Sequence, residues 1–133
     1  MARILIVDDD EILAEILIDV LAAAGHSASA VHHGDDALRA IDESGADLLI
    51  LDYDLPGASG LEVLRQVRRH PQGLHVLVMM LTAKSGKLLA VRAHHDDVDD
   101  YLVKPVTPEL LVRRVEALLR SGALARQVSH PAS

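Results

Sequence analysis

Four apolar stretches of the chain each run into a residue that can do chemistry. Ile4–Val7 leads into Asp8, Asp9 and Asp10, Leu48–Leu51 into Asp52 with Asp54 close behind, Val76–Leu81 into Thr82 and Ala83, and Tyr101–Val103 into Lys104–Pro105. Carboxylates packed together raise one another's pKa and resist ionising at once unless something positive intervenes. An oxygen-preferring divalent cation answers that need: Mg²⁺, with Mn²⁺ as a substitute, takes one or two carboxylates while keeping waters and phosphate oxygens. A carboxylate beside such a metal can attack phosphorus and form an acyl phosphate. The Thr82 hydroxyl, nearby backbone N–H groups and the Lys104 ammonium would then hold the phosphoryl oxygens, a task of positioning and charge stabilisation.

These residues work together only if the fold brings them to one place. The apolar runs 3–7, 48–51, 76–81 and 101–103 read as parallel strands buried on both faces, and the more polar 26–33 as an edge strand. Helical patterns lie between and after them, at 11–24, about 35–44, 59–69, about 85–95 and 107–120, the last opened by Thr107-Pro108-Glu109. Five strands alternating with five helices predict a doubly wound α/β sheet of flavodoxin-like order 2-1-3-4-5. Parallel strands end on one edge of the sheet, and ligands of open α/β folds bind in the crevice outside those ends. Acids, hydroxyl and ammonium therefore converge there. Residues 1–120 are expected to form one domain, with 121–133 a small polar tail or the start of a linker.

Composition narrows the setting. The chain has 133 residues, half of them hydrophobic and 2% aromatic, so its core must be aliphatic. It has no cysteine, which excludes disulfide and thiol chemistry and favours a reducing compartment. No apolar run is long enough for a signal peptide or a membrane span, and a cytoplasmic location is expected. A formal charge of −7 argues against direct nucleic-acid binding and points to proteins and cations as partners.

"ILIVDDD", "LLILDYDLPGASG", "MLTAK" and "DDYLVKP", in this order over about residues 3–120, resemble the receiver domain of two-component response regulators. The resemblance implies a phosphorylation-controlled switch, not an enzyme, with self-phosphorylation from small donors and autodephosphorylation at most. It implies Asp52 as phosphoacceptor, with Asp8, Asp9, Asp52 and the backbone carbonyl of Asp54 as Mg²⁺ ligands. Thr82, the Ala83 backbone amide and Lys104 would hold the phosphoryl group, Thr82 and Tyr101 would form a switch pair, and the Lys104–Pro105 bond would be cis. The implied partners are a histidine kinase or histidine phosphotransfer protein, and a downstream protein target or effector domain. The output face would be built from the predicted helix at 85–95, the strand at 101–103 and the helix at 107–120. On that face Asp100 and Arg114 match a charged pair used between subunits, whereas Ala90 and Leu110 stand where the network would want opposite charges. A monomer, or a weak dimer on phosphorylation, is expected. Asp97-Val98 departs from the usual Gly-Ala, and Val106 from the common aromatic after Lys-Pro.

"DYD" also fits the Asp-x-Asp pair of haloacid-dehalogenase-like phosphatases, the alternative reading. Order argues against it: there the nucleophile's strand comes first and an acidic pair follows the lysine. Here the acidic cluster precedes Asp52. The pairs His32-His33 and His94-His95 suggest metal binding, but adjacent residues diverge on a strand or helix and neither pair chelates unaided.

Overall fold

The computed structural model describes residues 1–57, 59–83 and 97–129. Its five strands are β1 (Arg3–Val7), β2 (Ser27–Val31), β3 (Leu48–Asp52), β4 (Leu77–Thr82) and β5 (Asp100–Val103). They form one parallel sheet in the order β2-β1-β3-β4-β5, as expected. The most polar strand, β2, lies at an edge, where a strand needs only one neighbour and half of its surface can stay wet.

Side chains alternate across the sheet, and the alternation sorts the core into two layers. Leu5, Val7, Leu49, Leu51, Val78 and Met80 face one way and pack against α2 (Asp35–Ser44) and α3 (Gly60–Arg69). Ile4, Ile6, Leu48, Ile50, Met79, Leu81 and Leu102 face the other way. That layer meets α1 (Glu11–Ala23) through Ala14, Leu17 and Leu21, and α4 (Pro108–Ser129) through Leu111, Val115 and Leu118. Each helix contributes residues spaced three or four apart, one apolar stripe per helix.

Capping fixes where the helices begin. The Asp10 carboxylate accepts from the Leu13 N–H at 3.0 Å, Ser59 Oγ from the Glu62 N–H at 3.3 Å, and Thr107 Oγ1 from the Leu110 N–H at 3.2 Å. A short 3₁₀ turn, Pro71–Gly73, follows α3. There Arg68 holds the carbonyls of Gly73, Val76 and Asp97, tying the end of α3 to the chain entering β4 and β5. Val98, in the place of the usual alanine, is buried in the α2/α3 layer.

Helix α4 does not stop before Gly122 but runs to Ser129, through most of the expected tail. Ala123, Leu124, Ala125, Arg126 and Gln127 are strong helix formers, enough to carry a helix past one glycine. Gly122 is a contact position: a Cβ there would lie 2.8 Å from Leu77 Cδ1. The predicted helix at 85–95, with Ala90 and His94-His95, lies outside the described residues.

Candidate functional site

Strand register brings the acids together. Ile6 pairs with Ile50 on adjacent β1 and β3, so Asp8 and Asp52, each two residues further on, leave the same face of the sheet. Lys104 stands two residues after Leu102 on that face as well. Asp8 and Asp52 are buried, at 1% and 4% exposure, whereas Asp9 is exposed. Lys104 Nζ donates to Asp8 Oδ2 at 3.0 Å and lies 3.5 Å from Asp52 Oδ2. The remaining carboxylate oxygens take backbone donors: Asp8 Oδ1 accepts from the Asp10 N–H at 2.9 Å, and Asp52 Oδ1 from the Asp54 N–H at 3.1 Å.

The three aspartates of the first loop have thus divided their tasks. Asp10 caps α1, Asp8 is a buried partner of Lys104, and Asp9 reaches solvent at the mouth of the crevice. Capping accounts for Asp10 and leaves the other two acids unexplained.

Among the described residues, Lys104 is the cation that serves both buried carboxylates. Burial pushes the Asp52 carboxyl above its ordinary pKa and the Asp8 charge adds to the rise, while the Asp54 N–H and Lys104 act against it. Burial alone would lower Lys104, yet its hydrogen bond to Asp8 and the charges of Asp52 and Asp8 carry it above its ordinary value. Carboxylate oxygens of Asp8, Asp9 and Asp52 all lie within 4.8 Å of one another. Ligand oxygens of an octahedral Mg²⁺ stand about 3 to 4 Å apart, so these three acids fit a hard cation after small side-chain adjustments.

Thr82 and Tyr101 belong to the opposite face. Met80 pairs with Tyr101, and Thr82 lies two residues beyond Met80, so the two side chains leave the sheet on the same side. Thr82 is fully buried, and Tyr101 is half-buried against the α2/α3 layer. Ala83 is exposed just past the end of β4. The Thr82 carbonyl accepts from the Lys104 N–H at 2.7 Å, and the Lys104–Pro105 peptide is cis, as the resemblance implied. Val106 borders a cavity of about 380 Å³ with Leu13, Leu17, Leu81 and Pro105.

A family model described as the response regulator receiver domain matches residues 4–116. The chain belongs to the response regulator receiver family. The receiver is 38% identical over 120 residues to the phosphate regulon transcriptional regulatory protein PhoB of Rhizobium meliloti, covering 90% of this chain and 53% of PhoB. It is 44% identical over 118 residues to the DNA-binding response regulator MtrA of Mycobacterium leprae, covering 89% of this chain and 51% of MtrA. The chain spans about half the length of these relatives. A putative response regulator structure from Chloroflexus aurantiacus superposes with a TM-score of 0.81 at 37% identity, covering 90% of this chain and 98% of that one.

Asp100 and Arg114, read as a pair between subunits, bind each other within the chain: Arg114 Nε and Nη2 donate to Asp100 Oδ2 and Oδ1 at 2.7 and 2.5 Å. The start of β5 and the second turn of α4 stand side by side, so the nearest carboxylate for Arg114 is its own neighbour's.

Gly60 was absent from the sequence-based site, yet it supports Asp52 from behind. Its N–H donates to the Tyr53 carbonyl at 2.9 Å, and a Cβ at Gly60 would come within 2.5 Å of the Asp52 carbonyl oxygen. A glycine directly after a helix-capping serine was the available signal. Gly60→Ala is expected to cost about 1 to 3 kcal/mol of stability by forcing backbone apart, measured as a lower urea midpoint at unchanged slope.

Proposed function

We propose that this receiver accepts a phosphoryl group on Asp52 from a histidine kinase or histidine phosphotransfer protein. The observation that carries the reading is the burial of Asp52 beside Asp8, with Lys104 as their shared cation and the exposed Asp9 at the mouth. A carboxylate held in this way is ready to attack phosphorus: an Asp52 oxygen forms the new O–P bond as the donor's N–P bond breaks, and the electron pair leaves with the imidazole. Asp8, Asp9 and Asp52, with the Asp54 carbonyl, are the residues that would hold Mg²⁺. Bound there, the cation offsets the negative charge that the phosphoryl group brings. Lys104, the Thr82 hydroxyl and the Ala83 N–H then hold the phosphoryl oxygens.

The switch itself is a shift between two conformations, driven by contacts that only one of them can make with the phosphoryl group. Thr82 moves toward the new oxygens, and Tyr101, on the same face of the sheet, turns inward. The changed surface around β5 and α4 passes the signal to a downstream protein or to an effector domain, as the names of PhoB and MtrA suggest. Helix α1 and the loop after Asp52 form the docking surface for the donor.

With Mg²⁺ and acetyl phosphate, the intact protein is expected to gain the mass of one phosphoryl group, stable in acid and labile to hydroxylamine. Uptake should be lost when the metal is chelated; uptake equal in excess chelator would reject the metal-assisted reading. Asp54→Ala is expected to change the lifetime of that group severalfold while leaving Mg²⁺ affinity nearly unaltered, because the proposed ligand is a backbone carbonyl. Decay followed by intact mass checks this, and an unchanged lifetime would make the Asp54 side chain a bystander.

A further inference from the structure

We infer that His32 is a positioning residue for the cation site, acting through the backbone that places Asp9; the inference rests on the Mg²⁺ reading above. His32 follows β2, the edge strand, and its Nδ1 lies 3.0 Å from the carbonyl oxygen of Asp8. A carbonyl can only accept, so Nδ1 carries the hydrogen in this contact. The Asp8 N–H donates in turn to the Val31 carbonyl at 3.2 Å. Two consecutive residues at the end of β2 therefore hold the peptide groups on either side of Asp8.

The three acids differ in what holds them. Asp8 and Asp52 have their carboxylates oriented by Lys104 and by backbone N–H groups. Among the described residues no hydrogen bond holds the carboxylate of Asp9, which is exposed. Among the described residues the main chain sets its place beside the other two, and the carbonyl that His32 grips belongs to the Asp8–Asp9 peptide. Tilting that peptide swings the Asp9 Cα and its carboxylate away from the cluster. A neighbour that orients a metal ligand typically governs metal affinity by about tenfold or more when removed. His32 thus serves as a hydrogen-bond donor beside the site and not as a metal ligand.

The test is Mg²⁺ binding to the full chain by titration calorimetry at constant pH, with no phosphodonor present. His32→Ala is expected to weaken binding roughly tenfold, with the melting temperature of the metal-free protein nearly unchanged. His32→Asn places an amide N–H near the position of Nδ1 and is expected to restore most of the affinity. An Ala variant that binds as tightly as the wild type would overturn the inference, as would an Asn variant as weak as the Ala one. If the wild type itself binds no Mg²⁺ at millimolar concentration, the cation reading fails first and this inference with it.

Discussion

Asp52→Asn is expected to take up no phosphoryl group at all, and yet to be the more stable protein at neutral pH without metal. The first result follows from chemistry, since an amide lacks the anionic oxygen that forms the acyl phosphate. The second follows from the environment of the carboxyl. Burial first, and the Asp8 charge with it, raise the Asp52 pKa above its ordinary 3.8, so the folded protein binds this proton more tightly than the unfolded chain does. The resulting penalty is absent below 3.8, grows as pH rises through the raised folded value, and is fully present above it. Asparagine removes that penalty, a gain on the order of 1 kcal/mol near neutrality. The gain should vanish at about pH 3, where both states are protonated. Urea melts across that range check the sign, and a variant less stable than the wild type at neutral pH would show that the Lys104 and Asp54 contacts outweigh burial.

Lys104→Met is expected to show the largest loss of stability. Methionine keeps most of the side-chain volume but leaves Asp8 and Asp52 buried together without their cation, and breaking such a pair costs about 3 to 5 kcal/mol. Because the folded pKa of Lys104 is raised, its contribution is fully present below its ordinary 10.5 and is lost only as pH climbs through the folded value. Neutral pH therefore reads the whole effect. Two rescues should follow: Mg²⁺ should stabilise the Met variant more than the wild type, and adding Asp52→Asn should recover much of the loss. A cost below about 1 kcal/mol would mark the contacts as no stronger than a surface ion pair.

Much of this site was legible before the structure, because apolar runs and the polar residues at their ends carry the information. A buried parallel strand reads as an unbroken apolar stretch, and the polar residue that ends it must sit at the sheet edge; Asp8, Asp52, Thr82 and Lys104 were found in that way. Register and alternation then placed Asp8 beside Asp52 and set Thr82 with Tyr101 on the other face. Contacts between distant segments were less readable. His32 meets the Asp8 carbonyl across 24 positions in sequence, and no pattern local to "VHHG" announces it. The hindrance that requires glycine at 60 comes from the backbone of Asp52 and Tyr53, which sequence spacing does not reveal. Asp100 and Arg114 were read as a pair between subunits, and their two-pronged contact within the chain is a tertiary fact that sequence spacing does not show. Gly122 looked like a stop signal because its packing against Leu77 is a tertiary fact.

The central claim, that Asp52 is the phosphoacceptor, is tested most directly by trapping the acyl phosphate. Borohydride reduces an aspartyl phosphate to homoserine, a permanent mark at the residue that carried the group. After treatment with acetyl phosphate and Mg²⁺, peptide sequencing by mass spectrometry should find homoserine at position 52 and nowhere else. Homoserine at position 8, 9 or 54, with Asp52 intact, would contradict the account.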